Sequence, residues 1–228
     1  PNEVLNGIPD WVYEEEFAFD RALEFSADNQ MLAFIRWDER EVPSYSMQLF
    51  AGQWPRLAPL AKYPGEYAYK YPKTGEANSK VSVHTFDIKS KVTRKINVPV
   101  EADGYIPRIR FTKDPDKLAI MTLNRHQNRF DMYFANPRST VAKLALRDES
   151  DTYISEDVFD NIVFYPENFS FVSEKSGYKH LYWYSIGGNL LKQVTSGEYE
   201  VRKFLGYDAE EGSFYFSSNE ESPMRTAI

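Results

Sequence analysis

Apolar and polar positions alternate in short runs along most of the chain, and the runs come in pairs. ALEFS (22–26) and MLAFIRW (31–37) flank the polar turn ADNQ. Two alternating runs joined by a short polar turn predict an antiparallel hairpin with one face toward a core. RIRFT (108–112) and KLAIMTL (117–123) repeat the plan around KDPD, and DNIVFYP (160–166) with NFSFVSE (168–174) repeats it again. KFLGYD (203–208) and SFYFSS (213–218) form a fourth copy around AEEG. Further strand-like pairs follow most copies, VSVHTFDI with VTRKINVP across KSK and HLYWYSI with LLKQVT across GGN.

The repeating unit is therefore four short strands. The second strands of the last three hairpins begin near Leu118, Phe169 and Ser213, a spacing of roughly 45 to 50 residues that marks the blades of a β-propeller. The fold class expected is all-β, a propeller fragment of four-stranded antiparallel blades. At ~45 residues per blade the whole chain, 1–228, holds about four to five of them, a partial ring, and it reads as a fragment of something longer. The first interval, from Leu32 to Leu118, is nearly double. Either a blade there carries a long insertion or an extra blade lies within residues 40–80. The Pro- and Gly-rich stretch QWPRLAPLAKYPGEYAYKYPKTGEANSK reads as a loop-heavy excursion. The one helical candidate is DWVYEEEFAF (10–19), with Asp10 as N-cap and acids in the first turns, where the helix dipole favours them.

Composition narrows the function classes. The 16 Tyr and 16 Phe suit pleated, half-buried surfaces. A net charge of −7 argues against nucleic acid or an anionic membrane as partner, since both call for a basic stripe. Cysteine is absent, which excludes disulfides, thiolate metal sites and a cysteine nucleophile. No apolar run approaches the ~20 residues of a membrane-spanning helix.

Candidate chemistry is sparse. YWYSIG (182–187) looks like a degraded nucleophile elbow around Ser185, but Trp183 stands where the strained turn needs glycine, and Gly-Gly-Asn follows instead of a helix. Ser185 is expected to be a strand residue. His84, His126 and His180 lie far apart without an i, i+4 partner, so a metal site is not expected, and all three read as surface or edge residues. No cofactor-binding motif is present. What remains is the run Glu14, Glu15, Glu16. It is either a solvated face or an anchor for a cation, and two long carboxylate side chains can converge on one ammonium. A peptide N-terminal amine, with a pKa of roughly 7.7 to 8, is mostly protonated at neutral pH and would form charge-assisted bonds there.

NGIPDWVYEEEF closely resembles the glutamate motif in the propeller of the dipeptidyl peptidase IV family of serine peptidases. RWDEREVPSY (36–45), YPKTGEANSKVSV (71–83), LNRHQNRFDMY (123–133) and SEKSGYKHLYWY (173–184) resemble further segments of that propeller, in order and over nearly the whole chain. The resemblance implies an eight-bladed propeller joined to a C-terminal α/β-hydrolase domain. It implies removal of dipeptides from peptides with a free N-terminus and proline or alanine at the second position. By position, Glu15 and Glu16 correspond to the pair that binds the substrate's amino group, and Glu14 falls outside it. The match near Phe159, where a further substrate contact would fall, is loose and carries no assignment. The triad belongs to the hydrolase domain and a substrate-contacting arginine to an earlier blade, so this chain alone is expected to be inactive. The resemblance also implies a homodimer of the full-length protein and export to the periplasm or cell envelope. The alternative is a non-catalytic propeller that binds a protein or peptide partner.

Overall fold

The computed structural model describes residues 3–228. Its strands group into antiparallel sheets in chain order. The first sheet takes β1 (Val4–Asn6), β2 (Leu23–Phe25), β3 (Met31–Asp38), β6 (Lys80–Asp87) and β7 (Val92–Lys95). Between β3 and β6 lies a separate two-stranded sheet of β4 (Ser44–Leu49) and β5 (Gly65–Lys70). The second sheet is β8 (Tyr105–Phe111), β9 (Leu118–Leu123), β10 (Arg129–Ala135) and β11 (Ala142–Glu149). The third contains β12 (Asn168–Ser173), β13 (His180–Ser185) and β14 (Leu190–Gln193), and the last is the hairpin β15 (Val201–Asp208) with β16 (Ser213–Ser218). This is the all-β architecture of stacked four-stranded blades.

The alternation read from the sequence works as expected in β3, where Met31, Ala33, Ile35 and Trp37 are all fully buried. In β9 every residue of LAIMTL is buried, because a blade in the middle of the stack is covered on both faces. Rings join neighbouring blades. Phe130 of the second blade stacks on Phe171 of the third at 5.6 Å, and Trp183 of the third lies 4.8 Å from Tyr207 of the fourth. Aromatic pairs of this kind add to the burial of their own area.

Three expectations need correction. Residues 160–166 are not a regular strand. A 3-10 turn covers Glu156–Asn161, and only Phe164 bridges to Phe169. The Ser170 hydroxyl accepts from Val163 N (3.0 Å) and donates to Asn161 O (3.0 Å), so a side chain takes the Val163 donor while the backbone bonds Tyr165 N to Asn168 O and Ser170 N to Val163 O remain. The stretch after residue 50 is more ordered than a loop, with a 3-10 turn at Pro55–Leu60 and strand β5. It is no blade either. β3 pairs directly with β6, so residues 44–70 are an insertion within the first blade. His180 is buried rather than on the surface or an edge. Its Nδ1 meets Thr195 Oγ1 and its Nε2 meets Gly197 O, each at 3.0 Å, which satisfies both ring nitrogens in the interior. His126 is exposed and His84 half-buried in β6, where burial, with Arg36 and Lys95 nearby, pushes its pKa down. Ser185 is the last residue of β13.

Candidate functional site

The glutamate run lies in a segment looped out of a strand. β1 pairs with the Arg36–Asp38 end of β3, and β2 pairs with its Leu32–Phe34 end, along the same edge. The two pieces meet where Gly7 N donates to Ile35 O (2.9 Å), Ile35 N to Ala22 O (3.0 Å) and Ala22 N to Gly7 O (2.9 Å). Residues 8–21 leave this first strand and return to it, carrying helix α1 (Trp11–Glu16).

That edge is the side on which the blades converge. Arg108 and Arg110 of β8 both bind Asp160, at 3.0 to 3.1 Å, and Arg110 also donates to Ile162 O (3.3 Å) at the start of the next blade. A cleft of about 180 Å³ runs between β2 and β8, lined by Leu23, Glu24, Arg108 and Arg110. First strands that meet in this way border the axis of a propeller.

Elementary helix geometry explains the run of three acids. Tyr13 and Phe17 are buried and stand four apart, so they share the inward face, and the three residues between them face out. Glu14, Glu15 and Glu16 are all exposed. Among the described residues none of the three makes a salt bridge or a side-chain hydrogen bond. Adjacent positions on a helix point about 100° apart, so Glu15 and Glu16 open like a fork.

The underside of this short helix is held tightly. The buried Asp10 carboxylate caps it, accepting from Tyr13 N at 3.0 Å and from the Ser79 hydroxyl. Burial pushes the Asp10 pKa up, the bonds from Ser79 and Tyr13 oppose that, and the charge of Glu14 adds to it. Tyr13 reaches the next blade. Pro107 interrupts β8 at a bulge between Tyr105 and Arg108, and the Ile106 N–H there donates to the Tyr13 hydroxyl at 2.9 Å. Burial holds the Tyr13 phenol well above its ordinary pKa, so it stays neutral. Around it the rings of Phe17, Phe19, Trp37 and Tyr105 lie within 5.1 to 6.1 Å. Trp11 packs on Tyr71 at 4.2 Å. Asn78 Nδ2 donates to the Tyr105 hydroxyl (3.2 Å), which also takes a bond from Arg125. Phe159 is fully buried and packs between Phe17 and Phe130 as a core residue.

Sequence reasoning expected Asp10 as the helix cap, where the structure places it, and singled out Glu15 and Glu16, which the structure places exposed on α1. It missed Ser79, Tyr71 and the Tyr13–Ile106 bond, which act across 60 or more residues of chain, and the Asn78–Tyr105 bond across 27, and contacts at such separations leave no local pattern. A cleft of about 640 Å³ lies elsewhere, between the second and third blades, lined among others by Asn128, Arg129, Asp148 and Lys175. The glutamates stand on open surface, where a second body can approach them.

Comparison with known proteins gives a consistent result. Residues 1–228 match the family described as dipeptidyl peptidase IV (DPP IV) N-terminal region. The chain is 32% identical to the probable dipeptidyl peptidase 4 of Arthroderma benhamiae over 231 residues, covering 95% of this chain and 28% of that protein. The same identity and coverage hold for dipeptidyl peptidase 4 of Trichophyton rubrum. The crystal structure of Porphyromonas gingivalis dipeptidyl peptidase 4 superposes with a TM-score of 0.91 at 45% identity, covering 99% of this chain and 31% of that one. A putative dipeptidyl aminopeptidase IV from Bacteroides ovatus shares the fold, with a TM-score of 0.79 at 21% identity and coverage of 96% and 32%. The chain thus spans about 28% of the length of the curated relatives it matches.

Proposed function

The chain belongs to the dipeptidyl peptidase IV family as its N-terminal region, and on that premise we propose that it is the substrate-gating propeller of a serine exopeptidase. In this reading the longer polypeptide carries a hydrolase domain with the nucleophile, and that domain closes over the face on which α1 stands. The propeller supplies the ruler. The substrate's terminal ammonium binds Glu15 and Glu16, and a chain anchored there extends two residues to the nucleophile. The products are dipeptides with proline or alanine at their second position.

The observation that carries the reading is the contrast at α1. Its underside is fixed by a buried cap, a buried phenol and a cluster of rings, while its carboxylates are exposed and unpaired among the described residues. Rigid placement of unpaired charge favours a cationic ligand, because the binding groups are already ordered before it arrives. An ammonium between two carboxylates makes bonds of the strong, charge-assisted kind.

The test is hydrolysis of Gly-Pro-p-nitroanilide by the full-length protein. Losing one partner of a desolvated charge pair costs about 2 to 5 kcal/mol, so Glu15→Gln or Glu16→Gln should lower kcat/KM roughly 30-fold or more. N-acetylated Gly-Pro-p-nitroanilide should be a poor substrate for the wild type. Unchanged kcat/KM in the double variant would remove the amine-anchor role. Inactive wild type would favour the non-catalytic binding propeller.

A further inference from the structure

Helix α1 has only six residues, too few to keep its shape alone. The direction of its carboxylates therefore depends on contacts from outside. Several of these come from one stretch, residues 71–79, which leads from β5 into β6. Tyr71 packs on Trp11, and Asn78 holds the Tyr105 hydroxyl, whose ring lies 5.4 Å from that of Phe17. The Ser79 hydroxyl donates to Asp10 Oδ2 in the interior, while the other carboxylate oxygen takes Tyr13 N. Ser79 is thus the one side chain among the described residues that donates a hydrogen bond to the helix cap.

We propose that Ser79 is a positioning residue for Glu15 and Glu16: its hydroxyl holds the Asp10 carboxylate, which fixes the first turn of α1 and so the placement of both carboxylates. The proposal rests on the amine-anchor reading and deepens it. Without this donor the buried carboxylate keeps only backbone donors. Its ionised form is then less favoured, and a protonated cap accepts more weakly from Tyr13 N. The groups that face Asp10 are Glu14 and Tyr13 on its own segment and Glu39 just after β3. Burial and the Asp10 charge push Glu39 upward as well, with Lys70 opposing and Glu3 adding. This acidic setting leaves the Ser79 bond as a principal support of the charged cap.

The experiment uses the full-length protein and two substrates, Gly-Pro-p-nitroanilide and p-nitrophenyl acetate, which has no amine to anchor. Ser79→Ala should raise KM for the peptide substrate roughly tenfold, the scale of one lost bond to a charged group. Its kcat should change by less than about twofold, the pattern of lost binding, not lost chemistry. Ser79 lowers the Asp10 pKa, so its removal should move the acid limb of kcat/KM to higher pH. Ser79→Thr should restore KM and the pH limb, and p-nitrophenyl acetate should be hydrolysed at the wild-type rate throughout. An unmoved KM and pH limb in Ser79→Ala, beside a clear loss in Glu15→Gln/Glu16→Gln, would overturn the positioning role and leave the anchor standing. Equal loss on both substrates would overturn it as general damage. If the double glutamine variant is unchanged, the anchor itself fails and the positioning role with it.

Discussion

The hydroxyl of Tyr13 joins two blades through one bond. Pro107 breaks the ladder beside Ile106, and the freed N–H finds its acceptor on a side chain 93 positions earlier in the chain. A buried N–H left without an acceptor costs about 1 to 3 kcal/mol. Tyr13→Phe keeps the ring and its packing but removes the acceptor, so it should lower stability by about that amount. Hydrogen exchange gives the local check, since the Ile106 amide should lose protection in the variant while amides in β12 and β13 keep theirs. Unchanged protection at Ile106 would show that water replaces the phenol. The three glutamates present the opposite case, outward charge on an inwardly fixed turn. Their exposure was legible from the sequence, because Tyr13 and Phe17 set the buried face and leave positions 14 to 16 outside. The Tyr13–Ile106 bond was not legible, because a hydrogen bond between distant segments has no spacing to read.

At the scale of elements, hairpins with period-two alternation and a polar turn were readable, and the helix was readable from its Asp10 cap. The failures have physical causes. In 160–166 the apolar pattern is right for a strand, but a 3-10 turn covers Glu156–Asn161 and the Ser170 hydroxyl, bonded to both Val163 N and Asn161 O, takes one donor from the ladder. Strand β5 lies in a Pro- and Gly-rich context, and none of its residues is buried, so no core-facing alternation marks it. His180 reads as an edge residue from composition, whereas Thr195 and Gly197 give its ring two buried partners. The Ser170 case makes a direct prediction. Ser170→Ala orphans one N–H and one C=O in a buried region, so it should destabilise by roughly 1 to 3 kcal/mol, read as a fall in thermal midpoint. A regular first strand forming in the variant, seen as new protection at Val163, would show that the hydroxyl competes with the ladder and does not merely support the turn.

At the scale of the whole molecule, the fold separates a continuous core from an arm. The buried cluster runs through the blades from Tyr13 to Phe204, and among the described residues it takes none from 44–70. The arm instead exposes Tyr45, Met47, Phe50, Trp54, Tyr63 and Tyr67. Its two ends lie together at its base, where Tyr71 N donates to Pro43 O at 2.9 Å, and the β3–β6 ladder closes beneath it from Met31↔Asp87 to Asp38↔Lys80. An insertion whose ends already touch can be removed at little cost in closure entropy. Replacing Ser44–Lys70 with Gly-Gly should therefore leave the blades folded, with a thermal midpoint within about 4 °C of the wild type, the shift expected for roughly 1 kcal/mol in a domain of this size. The contacts from Tyr71, Asn78 and Ser79 to the helix segment stay in the chain, so the exchange of the Tyr13 amide should be unchanged. Loss of cooperative unfolding would mean that the arm supports the blade after all. An intact core with faster exchange at Tyr13 would mean that the arm tensions residues 71–79 and, through them, the glutamate helix.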